Sequence, residues 1–492
     1  MKKQLFNPYL PSWEYVPDGE PHVFGNRLYL YGSHDKFGGK AYCENDYVCW
    51  SAPVDDLSDW TFHGTSYRRA QDPDWGKNHP VMNAPDVAKG LDGRYYLYYQ
   101  LQLQSRIKVA VSNKPEGPYE YVGAVRYSDG TDYGSKKQDR YLFDPGVLVD
   151  DDGSVWLYTG FCPKSKVLQL LGTLTGGKTD ARGSLAVKLD RDMRTILSEP
   201  KLLIPGADAS KGTGFEGHEF YEASSMRKFN GKYYAIYSSV LSHELVHAIS
   251  DYPDRGFRYA GTLHSNGNIG YKGVQTTQYY WGNNHGSVAC VNGRYYIFGH
   301  RQTNGTEYSR QGVAEELTMK PDGSFEMAEM TSCGLNGGPL ESEGRYEAGI
   351  ACVLYGAKGA CKTTLSKKEK KNHPYITQDG EDRQADPGQY IANIRDKTVI
   401  GYKYFKADKP TVTLIVKWTG KEADGVFEVY TDPLMRELSG AIRISGNGDE
   451  AKSEISVPEE KYPLFLRYQG TGVIELREIG FDNKKRGGKE NA

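Results

Sequence analysis

A chain of 492 residues exceeds one ordinary domain and implies two or three. Its 61 Lys+Arg against 63 Asp+Glu leave no basic surplus, which argues against a nucleic-acid or membrane-surface partner. The 38 Tyr and 57 Gly favour many strands and turns over long helices. No stretch approaches the ~18 apolar residues of a membrane span. The opening MKKQLFNPYLPSWEY has two lysines but no apolar run behind them, so a cytoplasmic location is expected, or a secreted one if a leader was removed. Seven cysteines without a C-x-x-C pair predict buried free thiols rather than disulfides or a zinc site.

In chain order, one phrase recurs: an Asn/Asp-Gly type turn followed by an aromatic strand. It reads NRLYLYGS (Asn26 to Ser33), DGRYYLYYQ (Asp92 to Gln100), DGSVWLYTG (Asp152 to Gly160), NGKYYAIYSS (Asn230 to Ser239) and NGRYYIFGH (Asn292 to His300). The spacing of about 60 to 80 residues suits one four-stranded propeller blade per copy. The expected fold is therefore all-β: a five-bladed β-propeller over residues 1–345. Within the third interval, TLTGGKTDARGSLAV is the longest insertion and is expected to be a loop hairpin. A polar, lysine-rich connecting segment is expected over 346–388. From Gln389 short alternating strands (TVTLIVKWTG, GVFEVYTD, GAIRIS, YPLFLRYQG, GVIELREIGF) predict a jelly-roll-like β-sandwich over 389–482. The tail 483–492 has no packable face and is expected to be disordered.

About ten residues before the first aromatic of each copy stands a polar residue: Asp18, Asp86, Asp144, Glu222 and the Asn284-His285 pair. Equivalent positions in a propeller point the same way, so these side chains should converge on the axis. A converging ring of Asp and Glu in a tyrosine-rich chain suggests glycoside cleavage, because paired carboxylates can protonate the leaving oxygen and activate water. An Asp beside Gly is also an ordinary turn residue, and Asp150, Asp151 and Asp152 read as a turn. Asp144 instead precedes an apolar strand, and Glu222 stands among Tyr221, Ala223 and Ser224, where a solvated face does not explain it. Glu20 rivals Asp18 two residues away on what reads as the same strand face.

At these residues the chain resembles glycoside hydrolase family 43, whose members are five-bladed propellers that act on arabinose- and xylose-containing glycans with inversion. FDPGVLVDDDG looks like the segment carrying the Asp that tunes the acid, which implies Asp144. YEASSMRKFNGKYYAIYSS looks like the segment of the general acid, which implies Glu222. The family's base lies in an Asp-Pro dipeptide on the first blade. Gapless spacing puts it at Asp18, whereas the dipeptide alone favours Glu20, and Asp18 is the assignment adopted. The resemblance further implies substrate contacts from His34, Asp35, Asp46, Trp75, Asp86 and Arg301, with additional pocket elements in YSRQG at Tyr308 to Gly312. His285 matches an axial histidine that often holds water or calcium; no cofactor is expected for the chemistry itself. The C-terminal part looks like the family 6 type of carbohydrate-binding module, with Gln389 where an early Glu is usual.

These expectations converge on an inverting exo-hydrolase that releases terminal α-L-arabinofuranose, and β-D-xylose next, from plant cell-wall arabinoxylan or arabinan. Here Glu222 is the acid, Asp18 the base and Asp144 the residue that keeps Glu222 protonated. The alternatives are a β-xylosidase or endo-arabinanase of the same family, or a non-catalytic carbohydrate-binding protein. A retaining sucrose-type propeller would need an Asn-Asp-Pro-Asn segment near the first blade, and the chain has none there.

Overall fold

The computed structural model describes residues 4–76, 80–174 and 176–482, so the expected disordered tail lies outside the described residues. The fold is all-β, and its first part is a five-bladed propeller. Blade 1 comprises β1 (Glu20–Phe24), β2 (Arg27–Tyr31), β3 (Tyr47–Pro53) and β4 (Thr61–Tyr67). Blade 2 comprises β5 (Asp86–Lys89), β6 (Tyr95–Tyr99), β7 (Lys108–Ser112) and β8 (Glu120–Ala124). Blade 3 comprises β9 (Gly146–Val149), β10 (Val155–Thr159), β11 (Gly183–Leu189) and β12 (Lys201–Pro205). Blade 4 comprises β13 (Phe220–Phe229), β14 (Lys232–Ser239), β15 (Glu244–Ser250) and β16 (Arg258–Ser265). Blade 5 has three described strands, β17 (Ser287–Val291), β18 (Arg294–Gln302) and β19 (Arg310–Leu317). Each of the five recurring phrases is the second strand of its blade.

The phrase is aromatic on both faces because each blade is packed on both sides. Successive side chains of a strand point to opposite faces. In β6, Tyr95, Leu97 and Tyr99 therefore pack with Tyr29, Tyr31 and Val87 in the seam between blades 1 and 2. The intervening Tyr96 and Tyr98 pack with Val147, Leu157 and Val187 in the seam between blades 2 and 3. The ring closes where Gly19 bridges Gly286 in parallel, beside Leu30 and Phe298. Only glycine fits at 286, since a Cβ there would lie 1.7 Å from the Phe298 carbonyl oxygen. The open edge of β19 is capped by Asn7, whose side chain donates to Ala314 O at 3.1 Å and accepts from Ala314 N at 3.0 Å.

The insertion in blade 3 is a helix, α1 (Lys166–Leu174), followed by strand β11, and not a hairpin. TLTGGKTDARGSLAV thus straddles a helix end and a strand start: its glycines mark the exit from α1, and GSLAV is an ordinary inner blade strand.

The second part is one nine-stranded mixed sheet, and it begins earlier than position 389. It contains β20 (Leu340–Glu341), β21 (Gly344–Glu347), β22 (Val353–Tyr355), β23 (Tyr375–Gln378), β24 (Gln389–Ile394) and β25 (Val399–Lys406). Three long strands complete it, β26 (Thr411–Tyr430), β27 (Gly440–Ser456) and β28 (Tyr462–Asp482). TVTLIVKWTG and GVFEVYTD are one strand, because Gly420 and Lys421 stay paired to β28 and the irregularity between Thr419 and Ala423 is a bulge, not a turn. The segment 346–388 is likewise no free linker, since β22 and β23 belong to this sheet. Its core continues into the propeller through Tyr279, Tyr280 and Met330. All seven cysteines are free, and all but the half-buried Cys290 are buried.

Candidate active site

At one end of the propeller axis a cavity of about 620 Å³ receives residues from all five blades. Asp18, Asp144, Glu222 and His285 all line it. Asp18 precedes β1, Asp144 precedes β9, Glu222 lies on β13 and His285 precedes β17, so each stands where an innermost strand begins. His285 Nδ1 lies 4.0 Å from Asp18 Oδ1 and 3.6 Å from Asp144 Oδ2, and its Nε2 lies 3.7 Å from Glu20 Oε1. Three backbones here adopt the left-handed region: Asp18 (φ 58), Asp144 (φ 44) and Ala223 beside Glu222 (φ 67). Such conformations cost about 1–3 kcal/mol each and persist only where the surroundings impose them. They aim the three carboxylates into the cavity.

The positive φ of Asp18 also removes the Asp18/Glu20 ambiguity of orientation. It breaks the period-two alternation, so the two residues do not share a face. Asp18 lines the cavity, whereas Glu20 is buried on the axis, where it accepts from Ser225 Oγ at 2.9 Å and pairs with Arg227.

The four groups hold different charge states. Burial alone would raise Asp18, but Arg310 Nη1 at 2.8 Å, with His300 and His285 nearby, holds it well below the usual carboxylate range. Burial and the neighbouring Asp144 push Glu222 up to about 8, against the opposing pull of His285. Burial and Asp18 push Asp144 up to about 7, although His285, Arg310 and the Ala223 N–H favour its ionised form. Burial disfavours charge on His285, yet Glu20, Asp144 and Asp18 raise it to about 9. One cavity therefore holds an ionised carboxylate and a pair of carboxyls that retain a proton near neutrality.

Around His285, Asp18 is paired with Arg310 and Glu20 Oε2 with Arg227, which leaves Glu20 Oε1 facing His285 Nε2 at 3.7 Å. Among the described residues, the grouping whose ligand atoms lie within 4.8 Å of one another is Glu20, His22 and Asp86, and it excludes His285.

None of the six expected substrate contacts is among the residues that line the cavity. His34 is buried between Glu14 Oε1 (2.9 Å) and the Asp46 carbonyl (2.7 Å). Asp35 grips Arg310, and Asp46 accepts from the Arg69 backbone N–H at 3.1 Å. Trp75 lies under the Arg69 guanidinium. Asp86 is fully buried, bonded to His22 at 2.6 Å and to Val147 N at 2.8 Å, so it ties blades 1, 2 and 3 together. Arg301 donates to Gln311 Oε1 at 2.8 Å and also to the Ala351 carbonyl, away from the cavity. Register explains the last case: Gln302 pairs with Arg310 and Arg301 with Gln311, which places the two arginines on opposite faces.

Arg310, inside the YSRQG segment, is the arginine that reaches the cavity. Tyr42, Phe143, Phe161, Tyr221 and Trp281 supply aromatic walls, and Leu168 and Leu171 of α1 overhang it. Phe143 and Tyr221 are the chain neighbours of Asp144 and Glu222, whereas Arg310, Tyr42, Phe161, Leu168 and Leu171 stand outside the ten-residue spacing.

A ring of carboxylates in split charge states at the axis of a five-bladed propeller defines a glycoside hydrolase. Residues 14–325 match the model for "Glycosyl hydrolases family 43", and the chain belongs to that family. It is 46% identical over 485 residues to a xylosidase/arabinosidase of Thermoclostridium stercorarium, covering 97% of this chain and 99% of that one. A β-xylosidase/α-arabinofuranosidase from a compost microbial metagenome, solved with xylotriose, matches 64% of this chain and 94% of its own at 27% identity and a TM-score of 0.50. The fold of the whole chain resembles that of a Bacillus subtilis family 43 arabinoxylan arabinofuranohydrolase (TM-score 0.51, 20% identity, 96% and 97% coverage).

Proposed function

We propose that the protein is an inverting exo-hydrolase that removes terminal α-L-arabinofuranose, and at the same site β-D-xylose, from arabinoxylan- or arabinan-derived oligosaccharides of plant cell walls. The observation that carries this reading is that Asp18, paired with Arg310, and Glu222, beside Asp144, line one cavity. Glu222, protonated, donates to the glycosidic oxygen as the bond to the anomeric carbon breaks. Asp18, ionised, takes a proton from the water that attacks the opposite face of that carbon. Asp144 keeps Glu222 protonated, because two adjacent buried carboxylates resist ionising together. Arg310 keeps Asp18 ionised.

The choice of sugars rests on the aromatic-walled cavity, large enough for few sugar units, and on the name of the full-length relative, which carries both activities. The test is a panel of nitrophenyl α-L-arabinofuranoside, β-D-xyloside and β-D-galactofuranoside, with the anomer first released read by proton NMR. Release of arabinose and xylose with inverted configuration is expected. Retention of configuration, or hydrolysis of neither glycoside, overturns the reading.

A further inference from the structure

The cavity is not built by the propeller alone. Lys362, Thr363 and Thr364, from the segment joining β22 and β23 of the C-terminal sheet, form part of its wall. This segment is anchored next to the site. Lys362 bridges Trp281 in parallel through the backbone, and its Nζ lies 5.9 Å from the centroid of the Trp281 ring. Thr363 packs on the backbone of Gly282, where an added Cβ would meet its Cγ2 at 3.0 Å.

The same sheet clamps two further loops of the rim. Asp382 accepts from Phe37 N at 2.7 Å and from Asn45 Nδ2 at 3.1 Å, fixing the blade 1 loop that carries Tyr42 and Cys43. Ile376 O accepts from Asn304 N at 2.6 Å, and Thr377 Oγ1 donates to Asn304 Oδ1 at 2.9 Å, fixing the blade 5 loop that carries Glu307.

Exposure divides the cavity into floor and rim. Asp18, Asp144 and His285 are buried, while Lys362 and Thr364 are exposed and Trp281 and Thr363 half-buried. An exo-acting site holds the terminal sugar at the floor, next to the carboxylates. The rest of the chain must leave across the rim.

We propose that Trp281 and the Lys362–Thr364 segment form the subsite for the leaving-group sugar, so that the C-terminal domain sets oligosaccharide specificity from within the active site. The indole offers a flat apolar face to the sugar ring, and the Lys362 ammonium and Thr363 hydroxyl offer hydrogen bonds to its hydroxyl groups. This rests on the glycosidase reading above.

The test uses the full-length chain with Lys362→Ala, Lys362→Arg and Trp281→Ala, comparing a trisaccharide with the nitrophenyl glycoside of the same terminal sugar. For Lys362→Ala, loss of one charged hydrogen bond, worth about 1.5–3 kcal/mol, should raise KM for the trisaccharide about tenfold or more, with the effect on kcat smaller. The ratio of trisaccharide to nitrophenyl kcat/KM should fall by a similar factor, because nitrophenol lacks sugar hydroxyls. Lys362→Arg should restore most of it, and Trp281→Ala should raise KM for both substrates. A ratio unchanged within about twofold in Lys362→Ala overturns the subsite. If the parent hydrolyses neither substrate, the glycosidase reading fails instead. Calorimetric trisaccharide binding by parent and Lys362→Ala then still decides the subsite, with weaker binding expected and equal binding overturning it.

Discussion

Arg310 Nη1 stands 2.8 Å from Asp18 Oδ1, while the Nε and Nη2 of the same guanidinium hold Asp35 at 2.8 and 3.0 Å. The Asp35 carboxylate is fully buried and also accepts from Cys43 N. Asp35 was expected to touch sugar. Its place in the structure is to hold the guanidinium that sets the charge of the proposed base.

Replacing Arg310 by Met should therefore raise the pKa of Asp18 through unopposed burial. An Arg beside an Asp is worth about 1–3 pKa units, and the acidic limb of kcat/KM should move up by that amount. The variant also leaves Asp35 charged and unpaired, which costs about 3–5 kcal/mol. Arg310→Met with Asp35→Asn should regain much of the stability but not the acidic limb. A double variant with the parent's pH profile would remove Arg310 from the mechanism.

Glu222→Gln should lower kcat on oligosaccharides by about 10²–10⁴, the usual worth of a general acid. The loss should be smaller on nitrophenyl glycosides, whose leaving group needs less protonation. Equal losses on both classes would show that Glu222 is not the proton donor.

The parent's pH profile follows from the two charge states. Asp18 stays ionised to well below its ordinary value, so activity should persist through the mildly acidic range. Glu222 must be protonated, and kcat/KM should fall as pH rises through about 8. Initial rates from pH 4 to 10 on a nitrophenyl glycoside check this, and an alkaline limb near the ordinary carboxylate value of ~4.3 would contradict it.

Stability should carry the same signature. Glu222 has a folded-state pKa above its unfolded value, so the native state binds the proton more tightly and stability falls as pH rises through that window. Glu222→Gln removes this fall. It should raise Tm over the parent at pH 9 and much less at pH 5, as scanning calorimetry at the two pH values would show.

Gly286→Ala should break the seam between blades 5 and 1, since its Cβ would lie 1.7 Å from Phe298 O. A loss above ~4 kcal/mol is expected, among the largest single-substitution effects. Gly293→Ala, at a glycine of positive φ with open space around it, should cost only about 1–2 kcal/mol. Urea unfolding of the two variants separates them, and equal losses would mean the seam tolerates the methyl group.

The propeller was legible because its five second strands repeat one turn and one alternation, and that alternation is a direct consequence of packing between two neighbouring blades. The axial groups Asp18, Asp144, Glu222 and His285 were legible for the same reason, being fixed by distance from the repeat. The wall was not. Arg310 and Arg301 are both plausible in sequence and are separated only by register, while Trp281 and Lys362 meet through a bridge across 81 positions. The C-terminal strands read as short because WTGKEADG and YQGTG carry turn residues, yet the ladder between β26 and β28 keeps the chain extended through them.

The closure of the ring also sets an order in time. Asn7, ahead of blade 1, makes its hydrogen bonds to Ala314, Glu315, Thr331 and Ser332. A chain made from N- to C-terminus must therefore finish five blades before Asn7 finds its partners. Until then the seam between β1 and β17 stays open, and contacts of such long range are slow to form and open to mispairing. The stretch ahead of blade 1 is thus locked only after blade 5 is in place, and the proposed base, Asp18, is among the groups that wait.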